Sequence, residues 1–421
     1  MNKEKTVLFI TTRLPFPTTS GRKTSLYYYC KILSEKLGYR LIVASFEEED
    51  IKSNIKKPDF IDKLIILPNP KVKTKLANVI KYSFILKKFP MQVSLYWDKK
   101  IDNIIKKIVC DENPFIVIGD MIRTTEYIRK LKCYRIADLD DRISLRYKRQ
   151  LKYSIDDINP YGTYLNRFPT ILQKILLCKP FKMLITKNEI KLLENYELEI
   201  GRVCDKIIFV AESEAIKFNE EINEKKAAAV PIGVDINYFK YQKEKIDDDL
   251  NIGFLGALSV THNESAVKYF IERIFPIINK NNPNIKFMII GGGANKELLK
   301  YKCENIIFTG KVDDVREYLR KCKVFVCPLT FGSGIKTKNL EAMAIGLPVV
   351  TTSIGAENIN AENLKDWIVT DDEENFANSV LKLMEDKNMR ELMGYNACKY
   401  VNNNFTWNIA ENRLKEIIEK V

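Results

Sequence analysis

Along the chain, short β-branched apolar runs alternate with longer segments of helical composition, and the alternation is most regular from residue 251 onward. There, residues 251–255, 286–290, 306–309 and 324–327 read as strands and residues 264–278 as a helix. Strand ends meet glycine: Gly256 follows the first, and Gly291, Gly292 and Gly293 follow the second. Such alternation predicts a parallel, doubly wound sheet whose carboxyl strand ends gather on one rim. Gly256, Gly292, Lys311, Val312 and the loop after Cys327 should then line one crevice. The first half starts the same way, with a strand at 6–11, a proline- and glycine-marked loop at 13–21, a helix at 23–37 and a strand at 40–45, which make a βαβ unit. Further strands are expected at 115–118, 134–137 and 206–211. A polar linker is expected at 241–249, and a mostly helical tail at 366–421 that includes Phe405 and Trp407.

The most informative stretch is residues 324–352, VFVCPLTFGSGIKTKNLEAMAIGLPVVTT, which reads as strand, glycine loop, helix, strand. A helix starting at the lip of a parallel sheet turns unsatisfied N–H groups and the positive end of its dipole outward, and glycines let an anion approach the backbone. Lys336 and Lys338 add full positive charge. Glu341, three residues beyond Lys338, falls near the same helix face. A carboxylate beside an anion site suits a vicinal diol, whose two hydroxyls donate to its two oxygens. The inferred ligand is a nucleoside diphosphate. GSGIKTK has neither the spacing of a Walker loop nor the third glycine of a dinucleotide fingerprint, which weakens ATPase and dehydrogenase readings. An ordinary strand-loop-helix packing unit is the competing reading. Gly21, where the first loop enters its helix, offers a second such approach, and a plain turn glycine is as good a reading of it from the residues alone.

Composition narrows the classes. The 421 residues suffice for two or three domains, and a formal net charge of +13 points to anionic partners without choosing among nucleic acid, nucleotides and lipid. Nine cysteines without a CxxC pair, and no signal-like N-terminus, predict a reduced, cytoplasmic setting. No run approaches a membrane-spanning length, so any membrane contact is expected to be peripheral. The single histidine, His262, removes most triads and histidine-rich metal sites. Residues 71–107 interleave lysines with Val79, Ile80, Phe84, Ile85, Leu86 and Phe89. Residues 161–184 do the same with Phe168, Ile171 and Phe181. Both read equally as solvated helix faces and as surfaces for anionic headgroups. Asp138, Asp140 and Asp141 close a strand at the ligand end of a sheet, where Asp140 and Asp141 are candidate acceptor contacts and capping is a competing role for at least one.

As a whole, FGSGIKTKNLEAMAIGLPVVTTSIGAENI resembles the nucleotide-sugar site of GT-B glycosyltransferases, specifically the retaining family 4, in a subgroup with a GSGIKxKxxEA loop. RLPFPTTSGRKTSLYYYCKILSEKL, DLDDRISLRY and AAAVPIGVDINYF resemble further elements of that family. The resemblance implies an α/β fold of two doubly wound Rossmann-like domains facing each other across a cleft: residues 1–228 on the acceptor side, joined by a returning helix at 405–421, and residues 229–404 for the donor. It implies hexosyl transfer from a UDP- or GDP-sugar to a glycan or lipid-linked saccharide, with retention, in cell-surface polysaccharide assembly at the inner membrane face. Donor-binding positions are Gly256, Gly292, Lys311, Val312, Gly332, Ser333, Gly334, Ile335, Lys336 and Glu341. Catalytic positions are Lys336, Lys338, Glu341, Gly21 and Asp140. No metal and no cofactor beyond the donor are implied. Two departures matter: Ser333 stands where many members carry a first glutamate, and ALSVTHNESAV offers no cation before Lys268, which leaves the diphosphate to Lys336 and Lys338. The alternatives are a basic nucleic-acid-binding protein, or a GT-B epimerase or inactive scaffold. Against the first, basic and aromatic residues form no stacking platform.

Overall fold

The structure is a computed structural model that describes residues 5–18, 21–48, 56–153, 177–241, 251–332 and 334–419. The chain divides into two compact units, Met1–Pro231 with Ala410–Val421, and Ile232–Ile409.

The first unit is built on seven strands: β1 (Thr6–Thr11), β2 (Arg40–Phe46), β3 (Lys63–Leu67), β4 (Ile116–Asp120), β5 (Tyr134–Asp140), β6 (Lys206–Phe209) and β7 (Ala227–Ala229). Their order is β3-β2-β1-β4-β5-β6-β7 and every pairing is parallel. The second has six: β8 (Asn251–Leu255), β9 (Lys286–Ile290), β10 (Ile306–Gly310), β11 (Cys322–Cys327), β12 (Val349–Thr351) and β13 (Ile368–Val369), in the order β10-β9-β8-β11-β12-β13, again all parallel. Both orders are doubly wound. Each sheet reverses beside its first strand, between β1 and β4 and between β8 and β11, and a crevice opens at the carboxyl ends of such strands. The fold is that of GT-B glycosyltransferases.

Burial explains why the strand runs were readable. In β1 residues Val7–Ile10 are at most 1% exposed, and β8, β9 and β11 are nearly as dry, so covered faces select continuous apolar runs. In the second unit Phe270 lies 4.5 Å from Phe287 and 6.1 Å from Phe376, ring centre to ring centre, filling the space between sheet and helices. In the first unit the Lys179–Val203 helix is an internal brace. Its Glu189 accepts from the backbone N–H groups of Met91 and Gln92, at 2.7 and 3.2 Å, and so caps the Met91–Ser94 helix. Its Glu197 accepts from the N–H and hydroxyl of Ser144, capping the Ile143–Tyr153 helix. Both carboxyls are buried, and burial pushes Glu189 up to about 7.

Several expectations are corrected in detail. The helix read at 23–37 runs as α-helix over Gly21–Lys31 and continues as a π turn over Ile32–Lys36. The helix read at 264–278 is three pieces, Thr261–Tyr269, a π turn at Phe270–Ile274 and Phe275–Asn281, because Pro276 near the start of the last piece has no N–H for an unbroken ladder. β3 was not foreseen: it is an edge strand with Ile66 half exposed, so its pattern lacks the clean alternation of a half-buried strand. Lys75 and Phe89, read as part of a basic amphipathic surface, are buried. Residues 161–176, 242–249 and Ser333 lie outside the described residues.

Candidate functional site

In the second unit the strand ends interlock through glycine. A Cβ on Gly291, whose φ is +140°, would lie 2.2 Å from the carbonyl oxygen of Gly256, and one on Gly292 would lie 3.2 Å from Cβ of Lys311. The loops after β8, β9 and β10 therefore meet at backbone distance: Leu258 donates to the carbonyl of Gly292 at 2.7 Å, and Gly291 bridges to Gly310. This brings Gly256, Gly292 and Lys311 together, with Val312 half-buried beside an exposed Lys311.

The loop after β11 enters the Thr337–Ile345 helix, which ends on Gly346 at φ +86°. Gly332 and Gly334, with φ of +145° and +69°, curl this loop so that the Lys336 ammonium returns to the carbonyl of Gly334 at 2.6 Å. Lys336 is buried at the helix N-cap, and Ile335 beside it is half-buried. Lys338 donates to Oδ1 of Asn263 and lies 4.6 Å from the centre of the Phe254 ring, beneath Gly256, where an added Cβ would come within 3.1 Å of its Nζ. Asn263, itself at 2.8 Å from that Cβ and donating to the carbonyl of Ala257, joins β8 to the 337–345 helix. Burial pushes the Glu341 carboxyl up to about 7 against the opposing pull of Lys338, and burial likewise pushes the Lys338 ammonium down. Two groups of opposite charge thus sit one helical turn apart at the sheet's reversal, each short of solvation. Such a pair gains most from a ligand that brings both an anion and hydroxyl donors.

Sequence reasoning singled out the lysines, the glutamate and the glycines. It missed Asn263 and Phe254, since an asparagine in the first turn of a helix and a phenylalanine in a strand carry no pattern of their own. His262, its neighbour, sits half-buried in the first turn of the Thr261–Tyr269 helix.

The first unit holds a second charged centre at its own reversal. Arg22, directly after Gly21 in the first turn of the Gly21–Lys31 helix, reaches Asp120 at the end of β4 (2.6 Å) and both Asp138 (2.6 Å) and Asp140 (3.0 Å) at the end of β5. Arg22, Asp120 and Asp138 are buried, whereas the Asp140 side chain is 27% exposed. Burial pushes Asp138 up to about 7, against the pull of Arg22 and with the neighbouring aspartates adding to the shift. Asp140, at φ +66°, is raised for the same reasons. Of the acids flagged in the sequence, Asp140 is the most open to a ligand, and Asp141 pairs with Arg146 at 3.2 Å. Gly21 is exposed, and a Cβ there would meet nothing within 4 Å, so the structure gives it no close approach of the kind seen at Gly256. Arg22 was the signal next to it. Among the described residues no group of three or more His, Cys, Asp or Glu side chains is arranged to hold a metal ion.

Comparison with known proteins bears on both units. Residues 249–386 match the family model of glycosyl transferases group 1. That segment contains Gly256, Asn263, Gly291, Lys311, Lys338 and Glu341, so the group 1 match and the strand-end site coincide. Over 95% of its length the chain is 22% identical to an uncharacterized 44.6 kDa protein in the cps region of Klebsiella pneumoniae, covering 96% of that protein. Over 42% of its length it is 27% identical to the capsular polysaccharide biosynthesis glycosyltransferase CapM of Staphylococcus aureus, of which it spans about half (48%). Among solved structures, Anabaena HepE in complex with UDP superposes over 99% of this chain and 100% of that one with a TM-score of 0.64 at 13% identity.

Proposed function

We propose that the protein, a glycosyltransferase by its group 1 segment and its fold, transfers a hexosyl group from a nucleoside diphosphate sugar to a hydroxyl of a glycan or lipid-linked saccharide, with retention at the anomeric carbon, in the assembly of a cell-surface polysaccharide. The observation that carries the donor half is the placement of Lys338 beneath Gly256 with Glu341 one helical turn further on. The diphosphate lies against the start of the 337–345 helix, taking hydrogen bonds from the N–H groups near Gly334 and Ile335 and from Lys336 and Lys338 as they turn from Gly334 and Asn263, and Glu341 accepts from the ribose or hexose hydroxyls. Gly292, Lys311 and Val312 border the base. A UDP complex of a protein with the same fold, and a capsular glycosyltransferase among the relatives, support the ligand class and the pathway.

As the bond from the anomeric carbon to the diphosphate breaks, negative charge grows on the leaving oxygen. Helix N–H groups and two lysines stabilise that charge more in the transition state than in the ground state. The acceptor oxygen bonds to the anomeric carbon on the same face, and its proton passes to the departing phosphate oxygen. No side-chain base and no metal are required in this scheme. Asp140, partly exposed and fixed by Arg22, is the acceptor-side group, with Gly21 bordering it.

Thermal unfolding against a panel of nucleoside diphosphates and their sugars tests the reading, because a ligand selective for the folded state raises the melting temperature. A shift with uridine or guanosine species that disappears in Glu341→Ala and Lys336→Ala supports it. No shift with any nucleotide, or full transfer activity in either variant, sinks it.

A further inference from the structure

In the second unit the Lys387–Asn404 helix is buried along one side and carries apolar residues on the other. Met393, Gly394, Ala397 and Val401 face inward, and Gly394 meets the backbone of Gly346 at the end of the 337–345 helix. On the outer side Leu392 is 63% exposed, and Tyr395, one turn further on, is 52% exposed. Asn396, four residues after Leu392, donates from Nδ2 to the carbonyl of Lys365 at 3.4 Å, which sets the turn at 363–367 beside this face. Leu364 in that turn is 70% exposed. The ring of Tyr241, half-buried, lies 6.4 Å from that of Tyr395, centre to centre, and widens the surface. Single exposed aliphatics are ordinary, but an adjoining group marks an interaction site. Leu364 adds a second sign. Its φ of +65° lies in the left-handed region, which a leucine enters only against steric resistance, and its N–H, donating to the carbonyl of Trp367 at 2.8 Å, holds it there. Glycine or asparagine would suit such a turn without strain. A strained backbone that holds a leucine out in water is explained by something that covers it.

Charge selects the occupant. The chain carries a formal net charge of +13, so two copies repel wherever their basic surfaces face each other. This face is different: the exposed charges of residues 360–366 and 387–404 are Lys365, Lys387 and Lys399 against Glu362 and Glu391. Four of them are paired, Lys365 with Glu362 at 2.6 Å on the turn and Lys387 with Glu391 at 4.0 Å on the helix. Each pair offers both signs, so a twofold axis near Leu392 can set the helix pair of each copy against the turn pair of the other. We propose that this surface is the contact between two copies of the chain, with Leu364, Leu392 and Tyr395 of both at its centre and the ion pairs at its rim. A near-neutral rim has no cations to spare for anionic headgroups or for a phosphate backbone, which disfavours a bilayer and a nucleic acid. Because the inner side of the same helix abuts the 337–345 helix, the dimer places two such helices behind one interface. The inference stands apart from the transfer reaction.

Sedimentation velocity of the full chain from about 1 μM to about 100 μM tests it, since a dimer held by a small patch dissociates within that range. The wild type should pass from monomer to dimer. Leu392→Asp, which enters a twofold contact twice, should raise the dissociation constant about tenfold or more. Leu364→Gly should raise it about tenfold as well while leaving the urea midpoint near that of the wild type, because relief of the left-handed strain offsets glycine's greater freedom in the unfolded chain. That variant separates docking from folding. Leu299→Asp, at an exposed leucine on another helix of the same unit, should leave the constant within about twofold. A wild type that stays monomeric throughout, association unchanged in Leu392→Asp and Leu364→Gly, or equal loss in Leu299→Asp would overturn the proposal.

Discussion

Glu341 gives the proposed donor site a pH signature of calculable size. Burial raises its carboxyl to about 7, so in the free protein at pH 6 only about one molecule in eleven carries the charge, and at pH 8 about nine in ten do. Hydroxyls of a diol donate to the ionised form. Ligand affinity should therefore rise with pH through 7, by about tenfold in Kd between pH 6 and pH 8, because the competent fraction multiplies the affinity. A nucleoside diphosphate hexose is the right probe, since it has no terminal phosphate monoester to titrate near 6 and confuse the slope. Lys338 is pushed the other way by its burial, so loss of its charge sets the falling limb at higher pH. In Glu341→Gln the step through 7 should vanish. Affinity should also drop by about ten- to a hundredfold, the loss of a hydrogen bond to a charged acceptor. Calorimetric titration of uridine and guanosine diphosphate hexoses across this range, in both proteins, provides the measurement. A flat profile in the wild type, or the same slope in the glutamine variant, refutes the assignment of Glu341 to a diol.

Three other outcomes follow from the packing. Lys338→Ala should weaken nucleoside diphosphate binding about ten- to a hundredfold while leaving the unliganded urea midpoint near that of the wild type, and unchanged binding would remove Lys338 from the phosphate site. Arg22→Ala leaves buried Asp120 and Asp138 without their cation and should cost about 3–5 kcal/mol in urea unfolding; a loss under about 1 kcal/mol would mean that the aspartates are already neutral. Gly394→Ala puts a Cβ 2.1 Å from the carbonyl oxygen of Gly346, the residue that ends the 337–345 helix, so a destabilisation of about 2–3 kcal/mol should appear together with weaker nucleotide binding. Wild-type stability in that variant would show that the 337–345 helix and the Lys387–Asn404 helix, which carries Gly394, separate freely.

What the sequence disclosed, and what it hid, divides along physical lines. Strands covered on both faces, such as β8 and β9, were found to the residue, because dry surroundings admit only apolar side chains. The edge strand β3 and the three-alanine β7 were not, because a partly wet edge and small side chains leave weak patterns. Lys336, Lys338 and Glu341 were legible since their chemistry is local, set within six residues around one helix start. Arg22 with its three aspartates was not: its partners lie about a hundred residues downstream, and only the crossover from β1 to β4 brings them to one point. Asn263 was hidden for the same reason, its partner Lys338 lying 75 residues away.

The brace formed by the Lys179–Val203 helix has one more consequence. Its Asn188 donates to the carbonyl of Ser83, and Glu197, nine residues on, holds the helix that follows Asp140 and Asp141. At 1.5 Å per residue those two points are about 14 Å apart along the axis. Held at both points, this one helix ties the segment around Ser83 to the one that follows Asp140, so removing either contact should loosen both segments together.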